Sequence, residues 1–162
     1  MGANSHAFLP DTTYDEFYST INELFLDVNE YSPSEFNNLR NISIIYNGER
    51  KSISLWEIII DVEKYNEIND YLKDKDYTAY TKDLQKYSDS LNHVSDGLPD
   101  KSWGIFISLG VSDTCIEICQ ILATIFDGYV SENDSQDENF YRMRQSEPKM
   151  KMIVERVFEE KA

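Results

Sequence analysis

Apolar positions recur along this chain with two periods, and the switches between them lay out the expected elements. Thr13 followed by Glu16 forms a capping box. Behind it Tyr14, Phe17, Tyr18, Ile21, Leu24, Phe25 and Val28 keep the spacing of one helix face. That spacing predicts a long first helix that stops near Tyr31, ahead of Ser32-Pro33-Ser34. Two short strands, Asn41 to Tyr46 and Glu49 to Ser54, flank Asn47-Gly48, the dipeptide that best tolerates the two positive φ angles of a type I′ hairpin. Ser54 with Glu57 reads as a second capping box, opening a helix with Leu55, Ile58, Ile59, Val62, Tyr65, Ile68 and Leu72 on its apolar face. A third helical pattern follows through Tyr77, Tyr80, Leu84, Tyr87 and Leu91.

Asp96-Gly97-Leu98-Pro99-Asp100 is a turn cluster. After it, Trp103 to Leu109 predicts an apolar strand. Ser112 or Asp113 then caps a helix over Cys115 to Phe126, with Gly128 at its C-terminal cap, and Tyr129-Val130-Ser131 resumes a strand. This unit is expected to be a right-handed parallel crossover. An acidic loop, Glu132 to Glu138, leads to a last helix from Ser146, with Met150, Ile153, Val154, Val157 and Phe158 on one face and Pro148 in its first turn. The order is α-ββ-α-α-β-α-β-α. It predicts an α+β fold with a mixed sheet of about four strands, a hairpin plus a parallel βαβ unit, packed by about five helices. Residues 1–10 are expected to be a flexible tip that is in part a cloning remnant, and residues 11–162 a single globular domain.

Composition narrows the classes. Of 162 residues, 41% are hydrophobic and 13% aromatic, too much apolar material for a disordered acidic chain. No run is long enough to span a bilayer, and the longest comparable piece, Leu55 to Val62, is broken by Glu57 and Asp61. The first ten residues lack a secretory pattern, and His6 stands where a myristoylation motif wants Ser or Thr. Cys115 and Cys119 are the only cysteines. Their four-residue spacing on an apolar helix suits two core residues in a reducing cytoplasm.

Catalytic patterns are missing. His93 is the one histidine expected inside the fold, and a zinc site needs three or four ligands. No Gly-rich phosphate loop or Gly-x-Ser-x-Gly elbow occurs. The segment ENDSQDE, Glu132 to Glu138, lacks the alternating acids and central glycine of a calcium loop. The chain is therefore expected not to be an enzyme and to hold no cofactor or metal. Were it an enzyme, His93 with Asp89 or Asp96 would be the acid–base pair.

Charge carries the functional expectation. The formal net charge is −15, which argues against direct nucleic-acid binding and against anionic membranes. Residues 1–39 hold seven acids, residues 102–141 hold another seven, and neither stretch has a single Lys or Arg. On the expected first helix, Glu16, Glu23, Asp27 and Glu30 would form a negative ridge opposite the apolar stripe. With Glu132, Asp134, Asp137 and Glu138 of the acidic loop, and the aromatics Tyr129 and Tyr141, they are the candidate partner-binding residues. Tyr31, Phe36 and Phe140 lie beside the same stretches. A one-sided acidic surface with aromatic anchors suits docking to a basic protein.

In size, acidity and tyrosine content the chain resembles the immunity proteins of bacterial toxin–immunity pairs, and no motif carries the likeness. The resemblance implies a cytoplasmic inhibitor, a monomer or weak homodimer, that neutralises a cationic toxin such as a nuclease. The alternatives are a phage-encoded nucleic-acid mimic or anti-defence inhibitor, a self-associating adaptor joined through its last helix, and an unrecognised enzyme. The near-neutral residues 40–101 favour a localised patch over mimicry.

Overall fold

The computed structural model describes residues 4–31, 39–74, 97–132, 140–142, 155–157 and 159. Their elements are, in order, β1 (Ser5–Pro10), α1 (Tyr14–Leu24), β2 (Leu26–Tyr31), β3 (Arg40–Tyr46), β4 (Glu49–Ile60), α2 (Val62–Asp74), β5 (Ser102–Leu109), α3 (Asp113–Ile125), β6 (Tyr129–Ser131) and β7 (Tyr141–Arg142). The strands make one seven-stranded sheet in the order β2-β3-β4-β5-β1-β6-β7, and every neighbouring pair is antiparallel. The expected four-stranded mixed sheet with a paired parallel unit is therefore corrected. Strands β5 and β6 do run the same way, but each pairs with β1, which is inserted between them. Among the described residues no parallel ladder forms.

Local chemistry explains several boundaries. The Thr13 hydroxyl accepts from the Glu16 backbone N–H at 3.2 Å and starts α1. Asn47 (φ 53°) and Gly48 (φ 74°) take the left-handed angles that turn β3 into β4. Ser112 caps α3 by accepting from the Cys115 N–H at 3.2 Å. At its C-terminus the left-handed residue is Asp127, φ 53°, rather than Gly128, and the Gly128 N–H reaches the Ala123 carbonyl at 2.6 Å. Gly128 has another cause: a Cβ there would overlap the Phe8 carbonyl oxygen. One at Gly104 would overlap the Leu9 carbonyl oxygen, so two glycines let β1 lie close on both sides.

Three further expectations give way. Residues 5–10 are not a loose tip: Ala7, Phe8 and Leu9 are fully buried, and the sheet is continuous on both sides of them. Helix α1 ends at Leu24, because Phe25 is extended (φ −117°, ψ 162°) and Leu26–Tyr31 pairs with β3. Residues 54–60 are strand. Ile53 and Leu55 join one core cluster while Ile58 and Ile60 join the other. A strand buried on opposite faces along its length shows the spread of apolar positions that resembles a helix stripe. The expected helix over Tyr77 to Leu91 lies outside the described residues. So do the loop after Glu132 and all of the last expected helix except 155–157 and 159, which are helical.

The sheet's alternation sorts two cores. On one face, Ala7, Leu9, Ile42, Ile44, Ile53, Leu55, Ile105 and Ile107 pack under α1 and α3. On the other, Phe8, Ile58, Ile60, Phe106 and Phe140 form a smaller cluster flanked by Trp56, Leu98 and Tyr129.

Candidate partner-binding surface

The two stretches without basic residues meet in one layer. Helix α1 presents Phe17, Ile21 and Leu24 to the larger core, and α3 presents Ile118, Cys119 and Leu122 to the same core. The rings of Phe17 and Phe126 lie 6.4 Å apart, joining the start of α1 to the end of α3. The outward side of this layer carries exposed Asp15, Glu16, Glu23, Asp113 and Asp127. Helices α1 and α3 contain no Lys or Arg. Glu117, half-buried on α3, is met by Arg156 at 3.1 Å, which fastens the chain near Val157 to the layer.

Glu132 adjoins the same layer. Its Oε1 accepts from Gln120 Nε2 of α3 at 2.8 Å and from the Tyr141 hydroxyl at 2.5 Å. Val130 pairs with Tyr141 across β6 and β7, and Val130 belongs to the core under the helices, so Tyr141 faces that side as well. Burial pushes the Tyr141 phenol well above its ordinary range. It therefore serves as a neutral donor at physiological pH. The arrangement makes a small polar shelf beside α3, one carboxylate held by an amide and a phenol.

The rest of the predicted surface disperses. Asp27 lies on β2 and is bound by Arg50, whose guanidinium holds its carboxyl below the usual carboxylate range. Arg50 also donates to Ser43 at 2.6 Å. Glu30 accepts from the Tyr14 hydroxyl at 2.7 Å and faces Arg40 at 3.9 Å. Neither acid continues a ridge with Glu16 and Glu23, because α1 stops before them. Tyr129 is half-buried on the opposite sheet face, its ring 6.4 Å from that of Phe8. Tyr31 is exposed at the sheet edge and bonds Ser52. Phe140 is buried in the smaller core. Asp134, Asp137, Glu138, Phe36, Asp89, His93 and Asp96 lie outside the described residues.

Asp15, Asp113 and Asp127 were not among the sequence candidates, although all three belong to the basic-free stretches. Finding them required knowing that α1 and α3 share a sheet face. Both cysteines are buried, and burial pushes the Cys119 thiol up to about 12, so Cys119 is not built to react as a thiolate. Among the described residues, no group of three or more His, Cys, Asp or Glu side chains could hold a metal ion, and no helix is long and apolar enough to cross a membrane. No known protein family, curated protein or solved structure matches this chain.

Proposed function

We propose that this protein is an acidic inhibitor that docks a cationic protein through the layer formed by α1 and α3, acting as an immunity protein against a basic toxin in the cytoplasm. The observation that carries the reading is the convergence of two distant stretches, each without Lys or Arg, on one side of the sheet. A nuclease toxin fits as partner because its active site must present positive charge to phosphate. Carboxylates docked there compete with the substrate, and their field speeds encounter. The pairing of Asp27 with Arg50 and of Glu30 with Arg40 narrows the negative surface. That counts against a nucleic-acid mimic, which needs charge spread along a whole face at phosphate spacing.

The test is capture on the immobilised protein at low salt with stepwise salt elution, followed by a nuclease assay of whatever is retained. The reading expects a basic protein whose nucleic-acid cleavage is suppressed by added wild-type protein. It also expects loss of retention with the Glu16→Lys/Glu23→Lys variant. Equal retention by that variant, or a retained protein whose activity is untouched, would overturn it.

A further inference from the structure

The fold builds the same tyrosine–glutamate pair twice. In the first, the Tyr14 hydroxyl donates to Glu30 Oε2 at 2.7 Å. The Arg40 guanidinium carbon lies 3.7 Å from the Tyr14 ring centroid, and Nη1 of that side chain stands 3.9 Å from Glu30 Oε1. One carboxylate oxygen thus takes the phenol, and the other faces a guanidinium that lies over the ring. In the second, the Tyr141 hydroxyl donates to Glu132 Oε1 at 2.5 Å. Gln120 Nε2 donates to the same Oε1 at 2.8 Å and to the Tyr141 oxygen at 3.3 Å, which ties the three side chains together. Both bonds to the carboxylate fall on Oε1, so Oε2 holds the place that faces Arg40 in the first pair.

The two pairs differ in their cation. Among the described residues no Lys or Arg meets the second pair, and residues 102–141, which supply all three of its side chains, contain neither type. The amide and the phenol are neutral donors, so they fix the Glu132 carboxylate without cancelling its charge. Glu132 is exposed, and Tyr141 is 40% exposed.

We propose that the shelf of Glu132, Gln120 and Tyr141 is an anchor site for an arginine side chain of the cationic partner, which stands there as Arg40 stands on Tyr14 and Glu30, with its guanidinium over the Tyr141 ring and its N–H groups directed to Glu132 Oε2. Arginine suits the shelf because its planar head can stack on an aromatic face and reach the carboxylate beside it in one geometry, whereas a lysine ammonium is a compact point charge. The bonds inside the shelf hold the carboxylate in advance, so less side-chain freedom is lost on binding. An anionic ligand would meet Glu132 and the field of the whole chain, and a purely apolar one would desolvate a carboxylate it cannot pair.

This inference rests on the acidic-inhibitor reading for the source of the arginine, and its test uses a probe that needs no protein partner. N-acetylarginine amide is titrated into the ¹⁵N-labelled full chain while the side-chain amide resonances of Gln120 are followed, with Gln120→Met giving their assignment. Two relatives are titrated alongside: N-acetylcitrulline amide, isosteric and neutral, and N-acetyllysine amide, a cation without the plane. The expected result is a saturable shift at Gln120, a dissociation constant on the order of millimolar for arginine, and weaker binding of both relatives. Glu132→Gln, a change of charge at an exposed position, should reduce arginine affinity about threefold and leave citrulline unchanged. Tyr141→Leu should reduce arginine affinity by a similar factor. No saturable shift at Gln120, equal response to arginine and either relative, or indifference to Glu132→Gln would overturn the proposal. Arginine binding on the shelf without capture of a basic protein would remove the docking-layer reading alone. Capture through the layer with a shelf indifferent to arginine would remove this one alone.

Discussion

Truncating Phe8 to Ala tests the least expected feature of the fold, a central strand made of residues 5–10. Phe8 is fully buried. It is paired across the sheet with Phe106 on one side and Tyr129 on the other, and its cluster includes Ile58, Ile60 and Phe140. The neighbours are large side chains on several strands, so they cannot all collapse into the space left by a ring. Deleting a fully buried Phe costs about 3–5 kcal/mol, the lost transfer energy plus the cavity, and the upper half of that range applies where the surroundings are held by a sheet. Against a total stability of roughly 5–15 kcal/mol for an ordinary domain, that is a large fraction. Urea denaturation followed by circular dichroism reads it as a fall in midpoint with little change in slope. A loss below about 0.5 kcal/mol is what an exposed, frayed tip would give. That result would refute the placement of β1 and with it the order of the sheet.

Other outcomes follow from the same geometry. Gly104→Ala would drive a methyl into the Leu9 carbonyl oxygen and should cost about 1–3 kcal/mol, read as a lower thermal midpoint; an unchanged midpoint would mean β1 and β5 are not so close. Cys115 and Cys119 should resist a thiol reagent in the native protein and both react on unfolding, and rapid native labelling would contradict their burial. Burial first, and then donation to Glu30, raises the Tyr14 phenol from 10.0 to about 12. A raised folded value means that the stability it contributes is complete below pH 10 and is lost as pH rises towards 12. Ultraviolet difference titration of wild type against Tyr14→Phe should show the missing phenol ionising late, and a difference centred at the ordinary value would refute the contact with Glu30.

How much of this was legible depends on whether the cause was local. The cap at Thr13 and the hairpin at Asn47-Gly48 are set within a few residues and read correctly, and of the two caps expected for α3, Ser112 or Asp113, the structure takes Ser112. Strand β2 is not local in that sense: Asp27, at φ 48°, lies in an irregularity of the register, and Asn29 is a poor strand former held in place by pairing with β3. The end of β4 misled because Ile58, Ile59 and Ile60 face different surroundings on successive positions. Strand β1 was hidden because its partners, β5 and β6, lie about a hundred residues downstream. Gly104 and Gly128 accommodate its close approach, yet each also fits an ordinary strand or helix end. The charge asymmetry was visible in the sequence. The ridge drawn from it was half wrong, since Asp27 and Glu30 face arginines on the sheet, while the meeting of α1 with α3 depends on long-range packing.

The most direct measurement of the central claim is the association rate of the captured basic partner with wild type and with Glu16→Lys/Glu23→Lys, by stopped flow across a range of ionic strength. The account predicts that the wild-type rate at low salt exceeds its high-salt value by about 10- to 1000-fold. It predicts that the double reversal, on exposed positions that leave the fold intact, removes most of that dependence. Matching rates and salt slopes for the two proteins would contradict the claim that the layer of α1 and α3 is the docking surface.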